Sequence, residues 1–184
     1  MKYVCALQEI ILPPIFTIQR ERSLMPELTF SNQPISRKFR LSSLESALVE
    51  LDKLQRAPRI LLSPGWDLSH TLDHCARSIE HSMLGFPEQK NVIFQTLIGA
   101  TVFHIFDARG YMSHNLGEEI PGDTFVPPPP LLEASIVRLQ NSIHDFLDYQ
   151  GDLSPHFAYG KLSKSQYDHA NAMHIANHFD TIEY

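Results

Sequence analysis

Apolar residues recur three or four positions apart in four long segments of the chain, which is the spacing of one face of a helix. In SSLESALVELDKLQ the pattern begins behind Ser42 or Ser43, and in WDLSHTLDHCARSIEHSML it begins behind Asp67; all three are residue types that cap helices. We therefore predict four amphipathic helices. They cover residues 42–55, about 67–83, 131–149, and about 163 almost to the C-terminus.

A fifth segment, NVIFQTLIGATVFHIFDAR, lies between Lys90 and about Arg109 and is apolar on nearly every side. A helix that is apolar all round is typical of a central position in a protein core. The β-branched and aromatic residues of the segment also permit a strand. The sequence thus favours a centrally packed helix, with a strand as the alternative.

Two stretches show neither a helical nor a strand pattern. Residues 1 to about 40 contain four prolines, and residues 110–130 are rich in Gly and Pro and end in a proline run that should be stiff and extended. The chain as a whole predicts an all-α fold, an up-down four-helix bundle with an accessory helix and a long Pro-rich crossover. Residues 1–40 are predicted to form an irregular N-terminal lead, and residues 41–184 the bundle domain.

Charge and cysteine content narrow the function. The formal net charge of −6 is spread along the 184 residues, which argues against binding of nucleic acid or an anionic membrane surface. No apolar run approaches the roughly 18 residues of a membrane-spanning helix. The chain has two cysteines, Cys5 and Cys75, and no CxxC motif, so neither a disulfide framework nor a thiolate zinc site is expected. We predict a cytoplasmic protein.

Ten histidines are present, and His174 and His178 form an HxxxH pair in the last predicted helix. This spacing places two imidazoles one turn apart on one face, where they can share a metal ion. Ile175 occupies the position of the glutamate in HExxH proteases, so that hydrolytic scheme is disfavoured. A helix with hydrogen-bonded, metal-free imidazoles is the other interpretation of this pair.

A third ligand has to come from elsewhere, and the second predicted helix offers His70, His74 and His81, of which His74 lies deepest. A solvated polar face is the alternative for these three. In the loop before the last helix, His156 and Tyr159 could reach the mouth of the bundle. Four histidines have no partner at metal spacing and are interpreted as surface or satisfied residues: His104, His114, His144 and His169.

Three stretches together resemble the DinB/YfiT-like superfamily, and within it a bacterial family of DinB-related proteins of unknown function. They are PGWDLSHTLDHCARSIEHSMLGFP (64–87), HFAYGKLSKSQY (156–167) and HIANH (174–178), and the likeness spans roughly residues 41–182. The resemblance implies a bundle built on four helices, with a divalent metal ion, nickel or zinc, bound by His74, His174 and His178. Asn177 departs from the pattern, because a histidine is often found there, and Tyr167 stands where a tryptophan is usual.

Relatives in that superfamily include thiol-dependent transferases and isomerases, and members have been described as metal-dependent hydrolases. Three neutral ligands leave a coordination position open, so the ion could activate water or a small thiol against a small-molecule substrate. Tyr167 and Asn171 are candidates for orienting the substrate, and His70 is the candidate base. The resemblance thus implies an enzyme, either a hydrolase or a thiol transferase.

Two other functions stay open at this point. A non-catalytic protein could use the same histidines to bind a metal or a small ligand, and a purely structural bundle would leave them metal-free. A small-molecule substrate or a thiol is the partner that the metal hypothesis requires. A homodimer is a further expectation, because dimers are the commonest assembly of soluble oligomers and an exposed apolar helix face could pair with its copy.

Overall fold

Five helices and a three-stranded sheet make up the part of the chain that the computed structural model describes, residues 26–124 and 131–184. The helices are α1 (Leu44–Arg56), α2 (Leu68–Leu84), α3, α4 (Leu132–Asp148) and α5 (Lys164–Phe179). Helix α3 begins at Val92–Phe94, passes through a π-helical turn at Gln95–Gly99 and continues over Ala100–Arg109. The strands are β1 (Glu27–Phe30), β2 (Arg59–Leu62) and β3 (Ile182–Glu183).

Side-chain caps fix the start of the helices that carry the histidines, and the cap at Asp67 was predicted. The side chain of Asp67 accepts a hydrogen bond from the backbone N–H of His70 and so starts α2. Ser163 and Gln166 form a reciprocal capping box at the start of α5. Each of the five predicted helical segments is a helix, and these two caps fix where α2 and α5 begin.

The core lies where α2 packs against α4 and where α1 packs against α4 and α5. The apolar stripes predicted for α1, α2 and α4 supply a large part of it. Among the residues of these stripes that are buried are Leu44, Leu51, Leu54, Leu68, Leu72, Ile79, Ile136, Leu139, Ile143 and Phe146.

The prediction of an all-α four-helix bundle is wrong, because the helices are joined by a mixed sheet. Strand β2 pairs in parallel with β1 and antiparallel with β3. Ile60 and Leu62 of β2 point into the core, whereas Arg59 is exposed. The strands are four, four and two residues long, too short for an alternating pattern to stand out from the sequence.

Strand β1 also corrects the prediction for the N-terminal lead. Residues 27–30 are a strand rather than irregular chain, and residues 1–25 lie outside the described residues. Further along the lead, the chain contacts the C-terminal end of α5. There Asp180 accepts hydrogen bonds from the hydroxyl of Ser36 and the backbone N–H of Phe39. The domain boundary near residue 41 stays a prediction.

The central position predicted for the helix at 90–109 is also wrong. Val92, Ile93 and Leu97 of α3 are 67–73% exposed. This helix meets the rest of the molecule through Gly99 and Phe103, and a Cβ at Gly99 would collide with the carbonyl oxygen of Ala158. Apolar composition predicted the helix, but it could not tell which side was covered. Among the described residues, no helix has both the length and the apolar character to cross a membrane.

The crossover contains neither helix nor strand over residues 110–124, as predicted, and its proline run lies outside the described residues. It is tied to α2 by Arg77, whose guanidinium donates hydrogen bonds to Asp123 at 2.6 Å and to Glu119 at 3.2 Å. The same guanidinium binds Asp73 within α2. Because a buried charge is tolerated only when it is paired, this network holds the crossover against one face of α2.

The burial of β2 predicts the effect of removing a core side chain from it. Replacing Ile60, which is fully buried, by alanine should lower the free energy of unfolding by about 2–5 kcal/mol, since it leaves a cavity between sheet and helices. The exposed Val49→Ala is the control and should change it by less than about 0.5 kcal/mol. Chemical denaturation measures both. Equal effects of the two substitutions would contradict the placement of β2.

Candidate metal centre

Three imidazoles converge where α2 faces α5. His74 comes from α2, His174 and His178 come from α5, and one ring nitrogen of each lies within 4.8 Å of the others. The Nε2 atoms of His74 and His174 are 3.2 Å apart. Two nitrogens bound at roughly 2.0–2.1 Å to one tetrahedral zinc ion would lie about 3.3 Å apart. The three histidines can therefore hold one metal ion.

The HxxxH pair faces inward because of its neighbours on α5. Ala172, Ile175 and Phe179 are fully buried in the core, so the face of α5 beside them is turned towards α2. His178 is 2% exposed, and His74, one turn after His70 on α2, is 3% exposed. The spacing seen in the sequence thus becomes a cluster of side chains with little access to water.

Unpaired nitrogens show that the cluster suits a cation. The Nε2 of His178 and the Nδ1 of His74 are buried and have no hydrogen-bond partner. Leaving a buried polar atom unpaired costs about 1–3 kcal/mol. A cation bound by the lone pair of His178 Nε2 would remove that cost, so the residues present fit a metal ion.

The protonation state of the cluster also favours metal binding. Burial lowers the pKa of His74 to about 4. Burial, with the neighbouring imidazoles, holds the pKa values of His174 and His178 well below the ordinary 6.5. All three rings are therefore neutral at pH 7, and neutral imidazole is the form that binds metals.

Trp66 covers one side of the cluster. Its ring stacks on His70 at a centroid distance of 4.1 Å and an interplanar angle of 9°, and it lies nearly parallel to the ring of His178 at 6.0 Å. His74 meets the same indole edge-on at 5.0 Å. The indole thus shields the metal-binding rings from water on that side.

A carboxylate from the crossover lies behind His74. The Oε1 of Glu119 is 2.7 Å from His70 Nε2, and its Oε2 is 3.7 Å from His74 Nδ1. Burial raises the pKa of Glu119, but the hydrogen bond from His70 and the charge of Arg77 outweigh that effect, so the pKa lies below its usual value. Glu119 thus places a negative charge beside the His74 ring, at a distance too long for a hydrogen bond.

A cavity of about 200 Å³ opens beside the cluster, with His74 and His174 in its wall. It is somewhat larger than the roughly 150 Å³ cavity that is known to hold a benzene molecule. Glu119, Asn171 and Tyr159 supply polar groups to the lining. The Nδ2 of Asn171 is buried and has no hydrogen-bond partner. The site therefore has room for a small molecule next to the imidazoles.

The three candidates for substrate and proton handling lie in different places. Asn171 lines the cavity, and His70 lies behind Glu119. Tyr167 is fully buried, and its hydroxyl donates a 2.7 Å hydrogen bond to the carbonyl of Ser154, which anchors the loop before α5. Of the three, Asn171 is the one that lines the cavity.

The loop before α5 reaches the site. His156 and Tyr159, which the sequence suggested could reach the mouth of the bundle, both line the cavity. The Nδ1 of His156 accepts hydrogen bonds from the backbone N–H groups of Ala158 and Tyr159, at 3.1 and 3.2 Å. Burial lowers the pKa of His156 to about 3, so this ring is a neutral part of the wall.

Sequence reasoning missed two residues, both in the crossover. Glu119 was not singled out, and His114 was interpreted as a surface or satisfied histidine. The ring of His114 lies 4.9 Å from that of His174, and its Nε2 is buried without a partner, so that interpretation is wrong. The Gly- and Pro-rich sequence of the crossover gave no periodicity from which either side chain could be placed.

For the other three histidines the interpretation is confirmed. His104 and His144 are exposed. The Nδ1 of His169 lies 2.6 Å from a carboxylate oxygen of Asp107. None of these rings belongs to the cluster.

Metal-free protein should lose stability as the pH falls from about 6.5 towards 4. Between these values His74, His174 and His178 bind protons in the unfolded chain but not in the folded chain, where they are buried. The free energy of unfolding therefore falls as the pH falls. Each imidazole lowers the free energy of unfolding by up to about 1.4 kcal/mol per pH unit. Urea denaturation at pH 7.5, 6.5 and 5.5 measures the slope. Exposed His144→Ala should leave it unchanged, and a flat profile in the wild type would contradict the burial.

Comparison with protein families gives one match. A family model described as a protein of unknown function, DUF1569, matches residues 34–184. No curated protein and no solved structure matches the chain. The predicted membership of the DinB/YfiT-like superfamily is wrong, because the family that matches is a different one and no matched relative supports the likeness. The chain belongs to the DUF1569 family of proteins of unknown function.

Proposed function

We propose that the protein is a metal-dependent enzyme in which His74, His174 and His178 hold a divalent ion. The observation that carries the proposal is the position of this cluster in the wall of a cavity large enough for a small molecule. Three imidazole nitrogens suit nickel or zinc. A divalent ion bound there supplies Lewis acidity that can activate water or a small thiol as the nucleophile.

Asn171 is the residue proposed to bind the substrate. Its Nδ2 is a buried donor without a partner on the cavity wall, one turn before His174 on α5. A carbonyl or hydroxyl oxygen of a substrate would satisfy this donor and be held beside the imidazoles. Because the cavity also presents Phe157 and Tyr159, the remainder of the substrate would be apolar or aromatic.

Glu119 and His70 are proposed to handle the proton. Glu119 lines the cavity, and its lowered pKa keeps it ionised, so it can accept a hydrogen bond from the nucleophile and orient it. The contact between His70 Nε2 and Oε1 fixes the carboxylate. We thus assign the role of base to Glu119 and His70 together, whereas the sequence suggested His70 alone.

Metal content tests the first step of the proposal. Purified protein should retain about one equivalent of nickel or zinc after dialysis, measured by elemental analysis. His74→Ala and His174→Ala should lose it, because each removes one of the three nitrogens, whereas exposed His144→Ala should retain it. An absence of metal in the wild type, or retention in both site variants, would sink the proposal.

Turnover tests the second step. Metal-loaded protein should catalyse hydrolysis or thiol addition with a member of a panel of small esters and electrophiles, and chelation should abolish the activity. Asn171→Ala should lower kcat/KM by about tenfold, which is the loss of one hydrogen bond to the substrate. The exposed Asn141→Ala serves as the matched control. Bound metal without turnover across the panel would favour a non-catalytic binding protein.

A further inference from the structure

His114 has the hydrogen-bonding pattern of a metal ligand. Its Nδ1 is 3.0 Å from the backbone carbonyl of Asn115, and because a carbonyl only accepts, the ring proton lies on Nδ1. The Nε2 therefore carries the lone pair. That atom is buried and has no partner. A backbone acceptor on one ring nitrogen and a free lone pair on the other is the arrangement that fixes metal-binding histidines.

The ring of His114 also lies among the three cluster rings. Its centroid is 4.9 Å from that of His174 and 5.3 Å from that of His178. The three cluster rings are themselves separated by 4.9–5.1 Å. A fourth imidazole thus approaches two members of the cluster nearly as closely as they approach one another.

We propose that His114 is a fourth nitrogen ligand, supplied by the crossover to the ion that His74, His174 and His178 hold. This inference rests on the proposed function, because it needs the three-histidine site to bind a metal. The nitrogens of those three residues form the closest set, so His114 completes it by a short movement of its loop. A substrate that reaches the ion would then take the place of His114.

The crossover can make such a movement without unfolding. Met112 and Ile120 are buried on either side of His114, and Arg77 ties down Glu119. Between these anchors, Ser113, Asn115, Gly117 and Glu118 are exposed. The fourth histidine therefore sits on a short surface segment whose two ends are fixed.

Cobalt(II) binding to the full-length chain tests the assignment. The affinity, measured by chelator competition, should fall about tenfold or more in His114→Ala, and X-ray absorption should show one imidazole fewer around the ion. Exposed His104→Ala is the matched control and should behave as the wild type. Equal affinity and equal imidazole number in the wild type and His114→Ala would overturn the inference.

A cysteine at the same position gives a positive signal that loss of folding cannot imitate. Cobalt-loaded His114→Cys should show a near-ultraviolet band of thiolate-to-metal charge transfer, absent from the wild type and from His104→Cys. No such band in His114→Cys would overturn the inference. Failure of the wild type itself to bind cobalt is a different result, because it removes the three-histidine site and with it the proposed function.

Discussion

The contact between α2 and α5 brings together imidazoles that have no adequate partners in the protein. The facing sides of the two helices could have been sealed with apolar side chains, and here they carry His74 on α2 and His178 on α5, each at most 3% exposed. Buried nitrogens without hydrogen bonds are expensive, so the packing is favourable only if something compensates for them. A shared metal ion is the compensation that fits their spacing, and the cavity beside them gives that ion access to a ligand.

The crossover contributes the rest of the site through charge rather than through regular structure. Arg77 is buried in α2 and pairs with Asp73 of the same helix. It also pairs with Glu119 and Asp123 of the crossover. Removing one member of such a network would leave an uncompensated buried charge, so the network fixes the crossover at Glu119 and Asp123. Because Glu119 is placed by this network, a segment without helix or strand still presents its side chains to α2 in a defined way.

Much of the scaffold could be predicted from the sequence, because helical periodicity is a strong local signal. The HxxxH spacing placed His174 and His178 on one face of the last helix, and the stripe behind Asp67 placed His70, His74 and His81 on the second. The choice of His74 among those three came from the family resemblance. The sheet could not be predicted, because β2 has four residues and its partners are distant in the chain. The exposed side of α3 was missed because a segment that is apolar on nearly every side does not show which side faces the core.

The residues around the metal-binding cluster were harder to find for a related reason. His114 and Glu119 lie in a Gly- and Pro-rich segment. Glu119 is placed by its ion pair with Arg77, and His114 lies against the rings of His174 and His178, contacts that only the folded chain reveals. The family comparison corrected the predicted kinship but left the cluster unaffected, since the cluster rests on distances between atoms.

A crystal structure of zinc-loaded protein, with anomalous data collected at the zinc edge, tests the central claim most directly. If the three histidines share one ion, a strong anomalous peak will lie between α2 and α5, roughly 2.0–2.1 Å from the Nε2 atoms of His74, His174 and His178. Absence of a peak there, with the three rings turned towards other partners, would contradict it.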